Sequence, residues 1–190
     1  MGRKLILITG GARSGKSSFA ARLAGGGGDH VLFVATARAG DEEMARRIRA
    51  HQTARPERWR TLEVPRDVGR AILEAAHDRE AILVDCLGVL ISNILMDLVG
   101  EDIESCQVQF EHIEREVCHE IESLLDAFQR TAGDFVVVTN EVGYGLVPPY
   151  PLGRAFRDLL GSANQTLASR ADEVYLLVAG IPVEVKKLSV

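Results

Sequence analysis

The clearest chemical signal lies near the amino terminus. Gly10-Gly11-Ala12-Arg13-Ser14-Gly15-Lys16-Ser17 follows the apolar run Leu5-Ile6-Leu7-Ile8 and fits the phosphate-binding pattern G-x-x-x-x-G-K-[ST]. Its glycines let the backbone curl so that successive N–H groups face one cavity, and the helix expected next turns the positive end of its dipole toward the same anion. In this pattern Lys16 reaches the β- and γ-phosphates of a nucleoside triphosphate. Ser17 is placed to ligate Mg2+, a hard cation that takes oxygen donors. A second element, Ile82-Leu83-Val84-Asp85, is an apolar strand ending in a carboxylate. Beside a phosphate loop, such an Asp holds Mg2+ directly or through water.

Apolar runs at Leu5 to Ile8, Val31 to Val34, Ala81 to Val84, Phe135 to Val138 and Val174 to Val178 alternate with helical or loop stretches. That alternation predicts an α/β fold, a mostly parallel sheet flanked by helices. The glycine run Gly25 to Gly28 is expected to stop the first helix. Val183 to Lys186 follows a turn at Gly180-Ile181-Pro182 too short for a crossover, which predicts a last strand antiparallel to Val174 to Val178. A helix is expected around Val68 to Arg79. The longest helix candidate is Ile103 to Arg130, where Cys106, Phe110, Ile113, Val117, Ile121, Leu124 and Phe128 recur every three or four residues. His112 and His119 on this segment are seven residues apart, about two turns, too far for one mononuclear metal site.

With 190 residues, 46% of them hydrophobic, the chain suits one nucleotide-binding catalytic domain over residues 1–190. No stretch approaches the roughly 20 apolar residues of a transmembrane segment, and Leu5 to Ile8 leads straight into the phosphate loop without a signal peptide. A cytoplasmic location is expected. Cys86, Cys106 and Cys118 have no metal-ligand spacing, and their odd number argues for reduced thiols. The net charge of -5 hides an asymmetry: residues 1–70 carry 14 Lys/Arg against 7 Asp/Glu, whereas the rest carry 8 against 20. An acidic chain without a basic stripe makes a poor nucleic-acid binder, so the basic charge is read as serving a small anion.

The stretch Asp41 to Pro65 is basic and carries Met44, Ile48 and His51 at helical spacing, with Arg55-Pro56 ending the helix. From the residues alone, His51 reads as a cap favoured by the helix dipole. Resemblance changes that reading. The phosphate loop, Ala35-Thr36-Ala37, Arg47-Ile48, His51, Arg55-Pro56, Trp59-Arg60-Thr61 and Glu63 together resemble the bifunctional adenosylcobinamide kinase / adenosylcobinamide-phosphate guanylyltransferase family of cobalamin biosynthesis. The likeness continues in order through Asp85-Cys86-Leu87, Ser92-Asn93, Thr139-Asn140-Glu141-Val142-Gly143, Gly145, Val147-Pro148, Arg154, Phe156-Arg157-Asp158, Asn164-Gln165 and Ala179-Gly180-Ile181-Pro182.

The resemblance implies a RecA-like P-loop fold, a homotrimer and two reactions. The first phosphorylates the aminopropanol hydroxyl of adenosylcobinamide with a nucleoside triphosphate, ATP or GTP. The second joins adenosylcobinamide phosphate to GMP from GTP through a guanylylated histidine, which maps onto His51. Many members carry another histidine just before it, where this chain has Ala50. Lys16 and His51 are thus the implied catalytic residues. Ala35, Thr36, Ala37, Gln52, Thr53, Ala54, Arg55, Glu63 and Asp85 are implied to join Gly10 to Ser17 around the nucleotide, with Ser17 and Asp85 on the metal. Arg13 and Arg55 are candidates for stabilising charge at phosphorus, and Asp85 and Glu141 both stand open as the base of the kinase step. Two rivals use the same loop: a plain small-molecule kinase in which His51 only caps a helix, and a RecA-like ATPase acting on a protein partner.

Overall fold

Alternation within fully apolar strands decides how the sheet is covered. In β1 (Leu5–Gly10), Leu5 and Leu7 enter one buried cluster and Ile6 and Ile8 another, as a period of two requires. The computed structural model describes residues 2–26, 30–38, 42, 46, 56–77, 80–100 and 110–188. The other strands are β2 (Val31–Ala35), β3 (Arg60–Glu63), β4 (Ala81–Asp85), β5 (Phe135–Val138), β6 (Glu173–Val178) and β7 (Ile181–Glu184). They form one sheet in the order β3-β2-β4-β5-β1-β6-β7, parallel throughout except for the β6–β7 pair.

Five helices are described: α1 (Lys16–Gly26), α2 (Val68–Ala75), α3 (Leu87–Val99), α4 (Phe110–Arg130) and α5 (Pro151–Arg170). The larger cluster packs Leu5, Leu7, Val84 and Val137 against α2, α3, α4 and α5. On the opposite face Ile6, Ile8, Phe33 and Val138 meet Ala20 and Ala24 of α1, with Trp59 half-buried at its border. Parallel strands covered on both faces read as continuous apolar runs, which is why these five were legible.

Helix α1 is described to Gly26, inside the glycine run expected to stop it, and residues 27–29 lie outside the described residues. The backbone at Gly25 faces Trp59, whose Cζ2 would be 3.4 Å from an added Cβ. Other boundaries differ from expectation. The last strand begins at Ile181, not Val183, because Ala179 and Gly180 take positive φ and complete the turn before it. Lys186 falls in a following 3-10 turn, Val185–Leu188. The antiparallel pairing itself holds, with Val178 opposite Ile181. Strand β3 was not anticipated: it is an edge of mostly exposed, mixed residues and has no apolar run to announce it. Helix α2 ends at Ala75 rather than near Arg79. Helix α4 is described from Phe110, and the expected start at Ile103, with Cys106, lies outside the described residues.

The entry to α2 is capped from a distance. Asp67, at its amino terminus, makes no side-chain cap, and the Asp67 and Val68 N–H groups donate instead to the buried Glu120 carboxylate of α4, at 3.0 and 2.6 Å. This ties the chain leaving β3 to the helical layer. Replacing Glu120 by Ala strips both donors of their partner and should cost about 1–3 kcal/mol. A thermal melt is the check: Glu120→Ala should melt clearly below wild type, and Glu120→Gln, which keeps one acceptor, should fall between them.

Candidate active site

The phosphate loop is shaped by contacts that only a bare backbone allows. Gly10 has φ +150°, and a Cβ there would lie 2.6 Å from the Leu177 carbonyl oxygen of β6. Gly15 has φ +94° and rests against Gly180, whose Cα would be 3.3 Å from an added Cβ. The Gly180 N–H donates to the Ser14 carbonyl at 2.9 Å, so the β6–β7 turn supports the loop from below. Gly11, Ala12 and Arg13 remain exposed on the far side, Ser17 is half-buried, and Arg13 adopts φ +56°. The Ser14 hydroxyl is buried without a hydrogen-bond partner among the described residues.

Lys16 is buried at the start of α1 and turns back on its own loop, its Nζ donating to the Gly11 carbonyl at 2.6 Å. Loss of solvent lowers its pKa from the ordinary 10.5, and the neighbouring Cys86 and Asp85 pull the other way. Asp85 therefore faces the same small region as Lys16. Burial pushes the Cys86 thiol up to about 11, with the Asp85 charge adding to the effect.

Register assembles the rest. At the carboxyl ends of β3, β2 and β4, Ala35 stands opposite both Glu63 and Asp85. Asp85 in turn lies opposite Val138, and Val138 opposite Ile8, two residues before the phosphate loop. Ala35, Glu63 and Asp85 thus share one edge with Gly10 to Ser17. This is the edge at which open α/β sheets bind ligands. Thr36 has another use. It is fully buried, accepts the Cys86 N–H at 3.0 Å and donates its hydroxyl to the Cys86 carbonyl at 2.8 Å, clasping the exits of β2 and β4. Ala37 follows it, half-buried. His51, Gln52, Thr53, Ala54 and Arg55 lie outside the described residues.

Residues without an assigned role in the sequence prove to be braces. Asn93 of α3 donates to the Thr36 carbonyl at 2.8 Å and the Pro65 carbonyl at 3.1 Å, holding α3 across the ends of β2 and β3. Thr139 donates to Asn164 Oδ1 at 2.6 Å, and Asn164 Nδ2 donates to the Asn140 carbonyl at 3.1 Å, anchoring the exit of β5 to α5. Arg38 pairs with Asp97 through both guanidinium nitrogens at 2.5 and 2.8 Å, holding the Asp97 carboxyl below its usual range. Arg66 reaches the same Asp97 at 3.7 Å and Glu116 at 3.3 Å. Nothing local in the sequence marks these pairs, which join residues tens of positions apart.

For cation binding, the chemistry of the donors is informative. Among the described residues no three His, Cys, Asp or Glu side chains gather closely enough to hold an ion. The Ser17 hydroxyl and Asp85 carboxylate are hard oxygen donors that suit Mg2+, with phosphate oxygens and water completing its shell.

Two outcomes follow. Below the lowered pKa, a charged Lys16 costs the nucleotide-free fold stability. As pH rises from that value toward 10.5 the unfolded chain holds more protons, so stability recovers. Lys16→Met should therefore raise the melting temperature of the nucleotide-free protein at pH 8, by about 2–4 °C per kcal/mol relieved, while abolishing the further rise that GTP produces in wild type. Iodoacetamide at pH 8 should alkylate the exposed Cys118 and spare Cys86, which is about one part in a thousand thiolate there. Peptide mapping by mass spectrometry reads both sites.

Comparison with known proteins matches this geometry. The fold resembles a prototypical ATPase from the type III secretion system of pathogenic bacteria with a TM-score of 0.57, at 10% identity, over 98% of this chain and 58% of that one. At that identity the likeness shows the fold alone, a mostly parallel sheet flanked by helices. The bifunctional adenosylcobalamin biosynthesis protein CobU of Escherichia coli K12 is 43% identical over 182 residues, 96% of this chain and 99% of the relative. Its Salmonella typhimurium LT2 counterpart, of the same name, is 44% identical with the same coverage. The family model described as cobinamide kinase / cobinamide phosphate guanyltransferase matches residues 6–185, and the chain belongs to that family.

Proposed function

We propose that this chain phosphorylates adenosylcobinamide and then transfers GMP from GTP to the product, giving adenosylcobinamide-GDP for cobalamin biosynthesis. As a family member it is a kinase and a guanylyltransferase, with nucleotides and a corrinoid as small-molecule substrates. The observation that carries the nucleotide chemistry is the desolvated Lys16 ammonium held on the Gly11 carbonyl within a glycine-shaped loop. An arriving phosphate supplies the counter-charge, and the loop N–H groups and the α1 terminus bind the same oxygens.

In the kinase step the aminopropanol oxygen attacks the γ-phosphorus, the bond to the β,γ-bridging oxygen breaks, and a nucleoside diphosphate leaves. The hydroxyl proton passes to a base, for which Asp85 and Glu141 are the candidates. In the transfer step a His51 imidazole nitrogen attacks the α-phosphorus of GTP and pyrophosphate leaves. A phosphate oxygen of adenosylcobinamide phosphate then displaces the imidazole, forming the new pyrophosphate bond. An imidazole suits this role because, with an ordinary pKa of about 6.5, much of it is unprotonated at neutral pH. Lys16 neutralises phosphate charge in both steps, and Mg2+ held by Ser17 and Asp85 would polarise the phosphoryl oxygens. Glu63 and Ala35 to Ala37 are read as bordering the nucleotide from the ends of β3 and β2, and the family resemblance adds Gln52 to Arg55 as nucleotide contacts.

The described residues share one seven-stranded sheet, which supports reading residues 1–190 as one catalytic domain. No described helix is long and apolar enough to cross a membrane. A homotrimer in the cytoplasm completes the reading, and the exposed Val178, Ile181 and Val183 of the β6–β7 hairpin offer apolar surface for contacts between copies.

The test uses GTP labelled at the α- or the γ-phosphate, with Mg2+ and no corrinoid. Wild type should acquire acid-labile, alkali-stable label from the α position only, and His51→Ala should acquire none. Failure of wild type to take α-label while it binds GTP would leave a plain kinase or ATPase. Lys16→Ala should slow labelling by about 10²–10³-fold, as loss of a positioned charge at a reacting phosphorus does.

A further inference from the structure

The chain leaving β5 beside the phosphate loop is built unlike its surroundings. Residues 142–150, Val-Gly-Tyr-Gly-Leu-Val-Pro-Pro-Tyr, carry no charge in a chain that is 26% charged. Tyr144 is 88% exposed, Leu146 96%, Val147 63% and Tyr150 72%. Isolated exposed apolar side chains are ordinary, but four large ones within seven residues mark a surface meant to be covered.

The loop is also braced at both roots. The Glu141 N–H donates to the Gly10 carbonyl at 3.0 Å, placing the first root on the phosphate loop itself. Val142 packs on the core, and the Gly143 N–H donates to the Glu141 carboxylate. At the other root Arg154 donates to the Pro148 carbonyl at 3.1 Å and the Pro149 carbonyl at 2.8 Å. Gly153 fits so closely beneath Pro148 that a Cβ would come within 2.8 Å of the proline ring. A braced, proline-stiffened loop presents its apolar tips without the entropy that a floppy one would lose on binding.

An uncharged apolar surface cannot serve the triphosphate. It does fit the second substrate, a corrinoid whose broad macrocycle is apolar and whose side arms end in neutral amides. Leucine and valine offer area to the macrocycle, and the two tyrosines offer rings with a hydroxyl to amide groups. We propose that residues 144–150 dock the corrinoid acceptor, positioning its aminopropanol arm over the phosphate loop to which Glu141 is tied. This rests on the two-step reading above.

The test compares wild type with Leu146→Ser and Tyr144→Ser, both at exposed positions, with melting temperatures confirming intact folds. Equilibrium dialysis measures adenosylcobinamide phosphate binding, α-labelled GTP without corrinoid measures guanylylation, and light scattering measures oligomeric mass. The expected result is corrinoid binding weakened about tenfold or more in each variant, as loss of one large apolar contact gives, with α-labelling and mass unchanged. Unaltered corrinoid binding, or a wild type that binds none, overturns the docking proposal. A fall in oligomeric mass overturns it too, because the surface would then belong to contacts between copies. Absence of α-label in wild type with corrinoid binding still sensitive to the loop would instead fault the guanylyl-histidine, leaving the docking surface standing.

Discussion

Lys16 is the strained point of the site: an ammonium group drawn from water, with a backbone carbonyl of its own loop as hydrogen-bond partner. A lysine rotamer folded onto Gly11 is tolerable only if the loop backbone stays rigidly curled, and that curl depends on close approach. Gly10 lies against the Leu177 carbonyl and Gly15 against Gly180, in gaps that any Cβ at Gly10 would close. The β6–β7 hairpin is therefore part of the phosphate site although it carries no catalytic group. Desolvation that penalises the free state strengthens the attraction once phosphate arrives, because both charges then sit in a medium of low polarity.

Sheet order converts that local shape into a site. β5 and β4 follow β1 in sequence along one side, so the loop after β1, the β5 exit and Asp85 come to the same edge. The clasp of Thr36 on Cys86 and the reach of Asn93 to Thr36 and Pro65 then fix the exits of β2, β3 and β4 relative to one another. Arg38 and Arg66, which flank the segment bearing His51 in sequence, meet on the same Asp97. Half-exposed pairs of this kind contribute little stability each. Their geometric effect is to bring the chain before and after that segment to one helix.

Legibility in the sequence tracked how local the cause was. Gly10 to Ser17 could be read because consecutive residues make the loop, and Asp85 because the strand before it is uniformly apolar. Strand β3 could not, since Arg60-Thr61-Leu62-Glu63 pairs on one side only and keeps a mixed surface. Nor could the neighbour of Gly25 at the end of α1 be read, since Trp59 lies more than thirty residues on. Thr36 reads as a nucleotide contact through the family resemblance alone, and no sequence pattern announces that its hydroxyl is used twice on Cys86. Thr139, Asn140 and Asn164 carried family likeness with no visible purpose until α5 was folded back against β5.

Charge distribution along the chain acquires a spatial meaning in this arrangement. The basic first 70 residues supply the phosphate loop and, at the ends of β2 and β3, part of the edge it lies on. The β5 exit, on the same edge, instead supplies a charge-free surface rooted on the Gly10 carbonyl. On the function proposed above, the nucleotide and the bulky acceptor meet different ground along this edge. Anion recognition through N–H groups and ammonium is strong but indifferent to what lies beyond the phosphate. Apolar area is indifferent to charge but sensitive to shape. The backbone hydrogen bond from Glu141 to Gly10 joins the two grounds, so that on the proposed reading each selects its own substrate beside the other.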